Sequence, residues 1–350
     1  MKLNHCEYSI AADVNTLIKR SGIDVNSFQR KTILVTGGTG FFGIWVLSAL
    51  IEIKSLLKGD LVIKVLSREP GQFIKAHRHI EFEKHIEFIK GDVATFNMYK
   101  GEVTHLIHMA STNAKETFSG EEQINKLEML YQGTRNAIKQ CGNALESVLF
   151  TSSGVAYGIN TNEYISEDDF TAPDTTDLTS ALGIGKITAE YLISYYSKKY
   201  GYDYSIARCF AFAGQYLPLD LHYAFGNFIK DALNGKKITV RGHGQDMRSY
   251  LYVADAVAWF LRMVIEPKNG IYNVGSEIPI TIESLAQKVS KIAKTNSGVE
   301  ILGKDDVEGN FIRRSYTPST KKIRSHYEGI LEWTSIEEVI KKMLEQKKFK

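Results

Sequence analysis

The stretch Thr36-Gly37-Gly38-Thr39-Gly40-Phe41-Phe42-Gly43 directly follows an apolar run at 32–35 and passes straight into a helical pattern. A strand that ends in closely spaced glycines and restarts as a helix has few structural solutions. The glycines permit a tight turn and let the main chain approach a pyrophosphate with no side chain between. The helix start behind them presents its first N–H groups to the anion. The pattern predicts a phosphate cradle formed by Gly37, Gly40, Phe41, Phe42 and Gly43, and with it a dinucleotide, NAD or NADP. The end of the next strand, Val65-Leu66-Ser67-Arg68-Glu69, bears on that choice. Ser67 and Arg68 suit a 2′-phosphate and hence NADP, whereas Glu69 falls one or two positions late to hold a 2′-hydroxyl.

Around this unit, short apolar runs at 61–66, 86–89, 105–108, 148–150 and 205–207 alternate with helical patterns. That rhythm argues for a doubly wound α/β fold with a parallel sheet. At 350 residues the chain is long enough for about two domains. The rhythm changes near 211, where helical stretches at 224–233, 255–264 and 282–293 are separated by short β-like pieces. The expected organisation is a polar, partly helical extension at 1–30, a dinucleotide-binding unit at 31–210 and a smaller α/β lobe at 211–350. The chain is expected to pass between the lobes more than once.

Charge and composition narrow the possible partners. Lysine and arginine total 43 against 40 acidic residues, and a net charge of +3 does not suit a chain whose main work is gripping nucleic acid. No run approaches the ~20 apolar residues of a membrane span, and the one at 45–53 is broken by Glu52. Residues 1–12 lack the apolar stretch of a signal peptide. Cys6, Cys141 and Cys209 are scattered and odd in number, which implies neither a disulfide framework nor a zinc site. The expectation is a cytoplasmic protein with no metal, nucleic-acid or membrane partner.

Further segments follow the glycine turn in order: Gly91-Asp92-Val93, His108-Met109-Ala110, Phe150-Thr151-Ser152-Ser153-Gly154-Val155-Ala156-Tyr157-Gly158, Arg248-Ser249-Tyr250-Leu251-Tyr252-Val253-Ala254-Asp255 and Asn273-Val274-Gly275. Together they resemble the extended short-chain dehydrogenase/reductase superfamily, the NAD(P)-dependent nucleotide-sugar epimerases and dehydratases, over about 31–344. The resemblance implies a Rossmann-type sheet holding the dinucleotide and a smaller C-terminal lobe holding a nucleoside-diphosphate sugar. Asp92 and Val93 would meet the adenine, and Met109 and Ala110 would lie beside the cofactor. Arg248 would grip the diphosphate with its planar fork. The segment 216–222 leading to Asn227 would line the sugar and nucleotide pocket. Helices near 123–141 and 188–199 resemble those that pair in family homodimers.

The resemblance fails at the chemical centre. Family members use Tyr-x-x-x-Lys, in which the tyrosine takes the sugar hydroxyl proton and the lysine lowers its pKa and bonds the nicotinamide ribose. Lys186 is the lysine, but Leu182 stands where the tyrosine belongs, and an aliphatic side chain cannot carry a proton. Gly154 and Val155 replace the Asp-Glu pair of dehydratases, and Ala211 falls at the family's asparagine. Ser153 keeps the Ser/Thr position that orients the sugar, and Tyr157 is expected to pack rather than react. Several readings are open at this level. One is hydride transfer at the sugar C4, as epimerase or dehydrogenase, with a replacement proton carrier such as Ser153, a substrate group or a water held by Lys186. The others are a dehydratase with a replacement acid/base, a catalytically silent cofactor-binding homologue, and a Leu182 introduced to trap a complex.

Overall fold

Strand β1 (Lys31–Thr36) is buried along its last four residues and is followed by helix α2 (Phe41–Leu56), so the glycine turn joins a strand to a helix as expected. The computed structural model describes residues 10–98, 102–111, 122–219, 223–295, 297–303, 315–329 and 334–345. Among these, the remaining helices are α1 (Ala11–Arg20), α3 (Pro70–Ala76), α4 (Gln123–Cys141), α5 (Ala181–Tyr200), α6 (Ala224–Leu233), α7 (Val253–Ile265), α8 (Ile282–Ala293), α9 (Lys321–His326) and α10 (Ile336–Glu345). The strands after β1 are β2 (Leu61–Ser67), β3 (Glu87–Lys90), β4 (His105–His108), β5 (Ser147–Ser153), β6 (Asp203–Cys209), β7 (Phe212–Ala213) and β8 (Ile238–Val240). They continue with β9 (Met247–Ser249), β10 (Leu251–Tyr252), β11 (Gly270–Val274), β12 (Pro279–Thr281), β13 (Val299–Ile301) and β14 (Ser315–Tyr316).

Seven strands form one sheet in the order β11-β6-β5-β4-β1-β2-β3, every neighbouring pair parallel. The order reverses direction between β1 and β4, which opens a crevice at the carboxyl ends of those two strands. The central strands carry continuous apolar runs because helices cover both faces of the sheet. One face packs Ile33, Val35 and Ile107 under α2 and α7, and the other packs Leu34, Leu106 and Phe150 under α4 and α5.

The chain visits the main sheet more than once. After the small strands β7 to β10 it returns as α7, almost wholly buried, and then adds β11 to the edge of the main sheet beside β6. It leaves again to build the smaller lobe, in which β9 pairs with β12 on one side and β14 on the other, and β8 pairs with β13. A single apolar core runs from Val35 and Leu47 through Val257 and Phe260 to Leu285 and Met343, so the two lobes share their interior.

The strands at the chemical end are longer than their apolar runs. β5 continues through Thr151, Ser152 and Ser153, and β6 through Arg208 and Cys209, where polar side chains replace apolar ones. The N-terminal extension has a structural role that its polarity concealed. Val14, Leu17 and Ile18 fall on one face of α1 and are buried against α2 and α7. Asp13 on the same helix accepts hydrogen bonds from the Tyr252 hydroxyl at 3.0 Å and Lys342 Nζ at 2.7 Å. Truncating Leu17 to alanine should therefore cost about 2–5 kcal/mol of stability, as for other large-to-small changes in a core. Urea unfolding of Leu17→Ala measures this, and an unchanged midpoint would show that α1 is an appendage.

Candidate active site

Each glycine of the cradle lacks a side chain for a different reason. Gly37 has φ +71°, and a Cβ built on it would stand 2.5 Å from the Met109 carbonyl carbon at the end of β4. Gly43 packs on the backbone of Gly38, where a Cβ would overlap it. Gly40 is different. Its φ of −91° suits any residue, and the nearest atom to a Cβ there is the Gly37 carbonyl oxygen at 3.4 Å. Neither conformation nor packing within the chain requires glycine at 40, but a phosphate resting on the backbone would. The N–H groups of Phe41, Phe42 and Gly43, in the first turn of α2, have no acceptor among the described residues. These residues fit a pyrophosphate. The ring of Phe42 packs inward on Phe212 and Phe260 at 4.9 and 5.5 Å between centroids, which leaves its N–H as the group it presents at the turn.

The other expected cofactor residues gather along the same sheet edge. Ser67 is buried at the end of β2 opposite Lys90 of β3, and Arg68 beside it is exposed. Asp92 is exposed, and its Oδ1 accepts from the Ala94 N–H at 2.9 Å. Val93 is buried against Gly133 of α4. Met109 N–H donates to the Thr36 carbonyl at 3.0 Å, and Ala110 N–H reaches Thr36 Oγ1 at 3.3 Å. His108 is held between Thr36 Oγ1 at 2.7 Å and Thr134 Oγ1 at 3.0 Å. Burial, and then the charge of Lys186, push its imidazole down to about 3, so it stays neutral and ties β1, β4 and α4 together.

Lys186 is 5% exposed on α5, and its Nζ donates to the Thr151 carbonyl at 2.7 Å and lies 4.8 Å from the centre of the Phe150 ring. Burial pulls its ammonium down to about 8, while Cys209 and Glu190 pull it back up. It keeps its proton at neutral pH, and Thr151 occupies one of three N–H donors. Leu182 lies one helical turn before Lys186 on the same side of α5 and is partly buried. Close packing fixes this part of the helix: a Cβ on Gly183 would meet Pro173 and the Val155 carbonyl, and one on Gly185 would meet Leu130 of α4.

Ser153 ends β5, and its Oγ accepts from the Val155 N–H at 3.3 Å. Directly across the β5–β6 pair stands Cys209, whose thiol burial pushes up to about 12 against the pull of Lys186. One register step back, Arg208 pairs with Glu190 at 2.7 Å, and Ser152 Oγ donates to the same carboxylate. Tyr157 is packed as expected, its hydroxyl donating to Asn273 Oδ1 at 2.8 Å with the Arg208 guanidinium over its ring.

In the smaller lobe, Arg248 on β9 is partly buried and donates to the Met247 carbonyl at 2.7 Å. Its register partner across β9–β14 is Tyr316, a residue no sequence motif singled out. The ring of Tyr316 packs on Phe210 at 4.7 Å between centroids. Asn227 is partly buried on α6, with no hydrogen bond among the described residues to Ser153, Lys186 or Arg248. Positions 220–222 of the expected pocket segment lie outside the described residues. Ser249, where the family motif carries aspartate, is buried with its hydroxyl unpaired among the described residues. Asp255 at the motif's end accepts from the Thr334 N–H at 3.0 Å, a structural tie.

A doubly wound parallel sheet with a phosphate cradle at its switch point defines a dinucleotide-binding protein of the Rossmann class. The chain belongs to the NAD dependent epimerase/dehydratase family, whose model matches residues 33–275. It is 28% identical over 277 residues to a UDP-N-acetyl-alpha-D-glucosaminuronate decarboxylase of Bacillus cytotoxicus, covering 77% of this chain and 83% of that one. It is 26% identical over 280 residues to UDP-glucuronic acid decarboxylase 6 of Arabidopsis thaliana, covering 77% and 76%. Its fold matches that of UDP-glucuronic acid 4-epimerase from Bacillus cereus, solved in complex with NAD, with a TM-score of 0.74 at 20% identity over 90% of this chain and 96% of that one. UDP-glucose 4-epimerase of Thermotoga maritima, solved with UDP-glucose, matches with a TM-score of 0.73 at 20% identity over 91% and 98%. Among the described residues, no helix is long and apolar enough to cross a membrane.

The room around Gly40 separates binding from folding. Gly40→Val should fold with an unchanged melting temperature and lose at least tenfold in affinity for NAD or NADP. Gly37→Ala, strained by φ and by Met109, should instead lower the melting temperature. Calorimetric titration alongside thermal unfolding tests both, and a Gly40→Val protein that binds both dinucleotides as tightly as the parent contradicts the cradle.

Proposed function

We propose that this chain is an enzyme that oxidises the C4 hydroxyl of a UDP-linked sugar, with a uronic acid sugar as the favoured substrate. One arrangement supports the reading above all. The glycine cradle after β1 and the hydroxyl of Ser153 at the end of β5 stand at the carboxyl edge of one parallel sheet, with β4 between them. Lys186 of α5 reaches the end of β5 through Thr151, and Arg248 is presented from the smaller lobe. The relatives that decarboxylate UDP-uronates and the structural neighbours that epimerise at C4 favour the same sugar position.

The dinucleotide, when bound, supplies the hydride acceptor. The chain's own groups do the rest. The free N–H groups at the start of α2 hold the pyrophosphate, and the two uncommitted Nζ donors of Lys186 reach the nicotinamide ribose. At the ends of β2 and β3, the Ser67 hydroxyl and the positive charge of Arg68, with Lys90 nearby and shared with Glu69 at 4.0 Å, suit a 2′-phosphate, which favours NADP. Arg248 takes the sugar diphosphate with the part of its fork not spent on Met247, Asn227 lines the nucleotide side, and Ser153 orients the C4 hydroxyl. Loss of the C4 hydride and the hydroxyl proton leaves a ketone. In a uronic acid that ketone lies β to the carboxylate, so carbon dioxide can leave; in a neutral sugar, hydride return from the other face inverts C4. Neither outcome needs the acid–base pair for removing water that Gly154 and Val155 lack. The exposed apolar side chains on α4 and α5, among them Ile124, Tyr131, Tyr191 and Tyr195, suit a seam with a second copy of the chain.

Anaerobic single-turnover mixing tests this reading. Protein, oxidised cofactor and UDP-glucuronate or UDP-glucose should yield reduced-nicotinamide absorbance, faster with NADP than with NAD, and a sugar product without loss of water by mass spectrometry. Dehydrated product would move the assignment to a dehydratase. No cofactor reduction with any bound UDP-sugar would leave a silent homologue.

A further inference from the structure

The site described above lacks the phenol that oxidation of an alcohol calls for at position 182, and another phenol stands at Ser153. We propose that Tyr316, delivered by the smaller lobe, is the proton-transfer group of this site in place of the tyrosine absent at Leu182. The inference rests on the proposed C4 oxidation and goes beyond it by naming the group that carries the proton.

Three features of the geometry converge. A Cβ built on Gly154 would stand 2.5 Å from the Tyr316 hydroxyl oxygen and 2.9 Å from Cζ, so the phenol lies directly against the end of β5, beside Ser153. Gly154 is therefore both the missing half of the dehydratase acid pair and the space that admits this ring. Next, Tyr316 is fixed from two sides: it pairs in register with Arg248, whose guanidinium carbon lies 5.9 Å from the ring centre, and its ring packs on Phe210 after β6. The residue as a whole remains partly exposed, although its hydroxyl is buried against the end of β5. Finally, Lys186 Nζ is hydrogen-bonded to the carbonyl of Thr151, two residues before Ser153 on β5, which places phenol and amine around the end of the same strand. The other nearby phenol, Tyr157, has its hydroxyl committed to Asn273 in a fully buried setting.

In the forward direction the C4 O–H bond breaks and its proton passes to the ionised Tyr316 oxygen, directly or through Ser153. The C4 hydride goes to the oxidised nicotinamide, and a C4 ketone remains. The reverse step returns the same proton and hydride. Burial pushes the phenol up; hydrogen bonding from Ser153 and the charge of Arg248 pull it down, while Cys209 and Tyr157 push it up. The net direction is upward, so the phenol rests protonated, and the positive charge of an oxidised nicotinamide would have to favour its ionised form for it to accept the C4 proton.

The test compares the parent, Tyr316→Phe, and Tyr316→Phe combined with Leu182→Tyr. Tyr316→Phe should fold with the parent's melting temperature and bind dinucleotide and UDP-sugar within about threefold, yet reduce cofactor at least about 10²-fold more slowly in a single turnover, the usual scale of general acid/base assistance. Adding Leu182→Tyr, which restores a phenol one turn before Lys186, should recover at least tenfold of that loss. A readout independent of activity checks the geometry: Gly154→Ala should lower the melting temperature by several degrees in the parent and clearly less in a Tyr316→Ala background, which removes both the hydroxyl and the Cζ that the new Cβ would meet. Tyr316→Phe reducing cofactor within fivefold of the parent overturns the proposal. So does a loss of rate matched by weaker sugar binding and not relieved by Leu182→Tyr, or an equal cost of Gly154→Ala in both backgrounds. A parent that reduces no cofactor with any bound sugar overturns the proposed oxidation and this assignment together, whereas an active parent matched by Tyr316→Phe overturns the phenol alone.

Discussion

The site depends on one close approach, that of the turn after β1 to the end of β4. Gly37 passes so near the Met109 carbonyl that no side chain fits between them, and hydrogen bonds from Met109 and Ala110 to Thr36 hold the two strand ends together. This contact aims α2 at the crevice. Without it the first N–H groups of α2 would face solvent at random rather than converge where an anion can be shared. The neutral His108 reinforces the same junction from within the sheet, bridging β1 to α4.

A second constraint acts two strands away. Burying the Lys186 ammonium is costly, and the Thr151 carbonyl, the Phe150 ring and nearby Glu190 offset that cost enough to keep it charged. Glu190 is in turn held by Arg208 and Ser152, so β5, β6 and α5 are locked to one another by a buried polar network. Removing one member of such a network leaves an uncompensated charge and typically costs ~3–5 kcal/mol. The network explains why the ends of β5 and β6 stay extended although their side chains are polar. It also gives Ser153 and Cys209 their fixed places.

Much of this was legible in the sequence. The buried strands were readable because helices cover both sheet faces and force continuous apolar runs, and α6 and α8 were readable from their periodicity, matching 224–233 and 282–293. The strand–turn–helix around Gly37 was readable because glycine has few reasons to recur at that spacing after a strand. What could not be read was partnership. The apolar stripe of α1 does not say which helices it will cover, and the polar tails of β5 and β6 carry no strand signal of their own. Gly154 was visible as a missing acid but not as room for a ring. Tyr316 lies in no motif, and only the pairing of β14 with β9 brings it to Ser153. Its one local clue is the position before Thr317-Pro318, where the chain bridges back to Ile165.

As proposed, a dinucleotide held by the cradle of one lobe and a phenol from the other meet at the same sugar hydroxyl. A crystal structure of the chain with oxidised dinucleotide and a slowly reacting UDP-sugar tests this most directly. The account predicts the pyrophosphate on the N–H groups of residues 41–43 and the sugar C4 hydroxyl within hydrogen-bonding distance of Ser153 or Tyr316. A pyrophosphate bound elsewhere, or a C4 hydroxyl turned away from both residues toward Leu182, would contradict it.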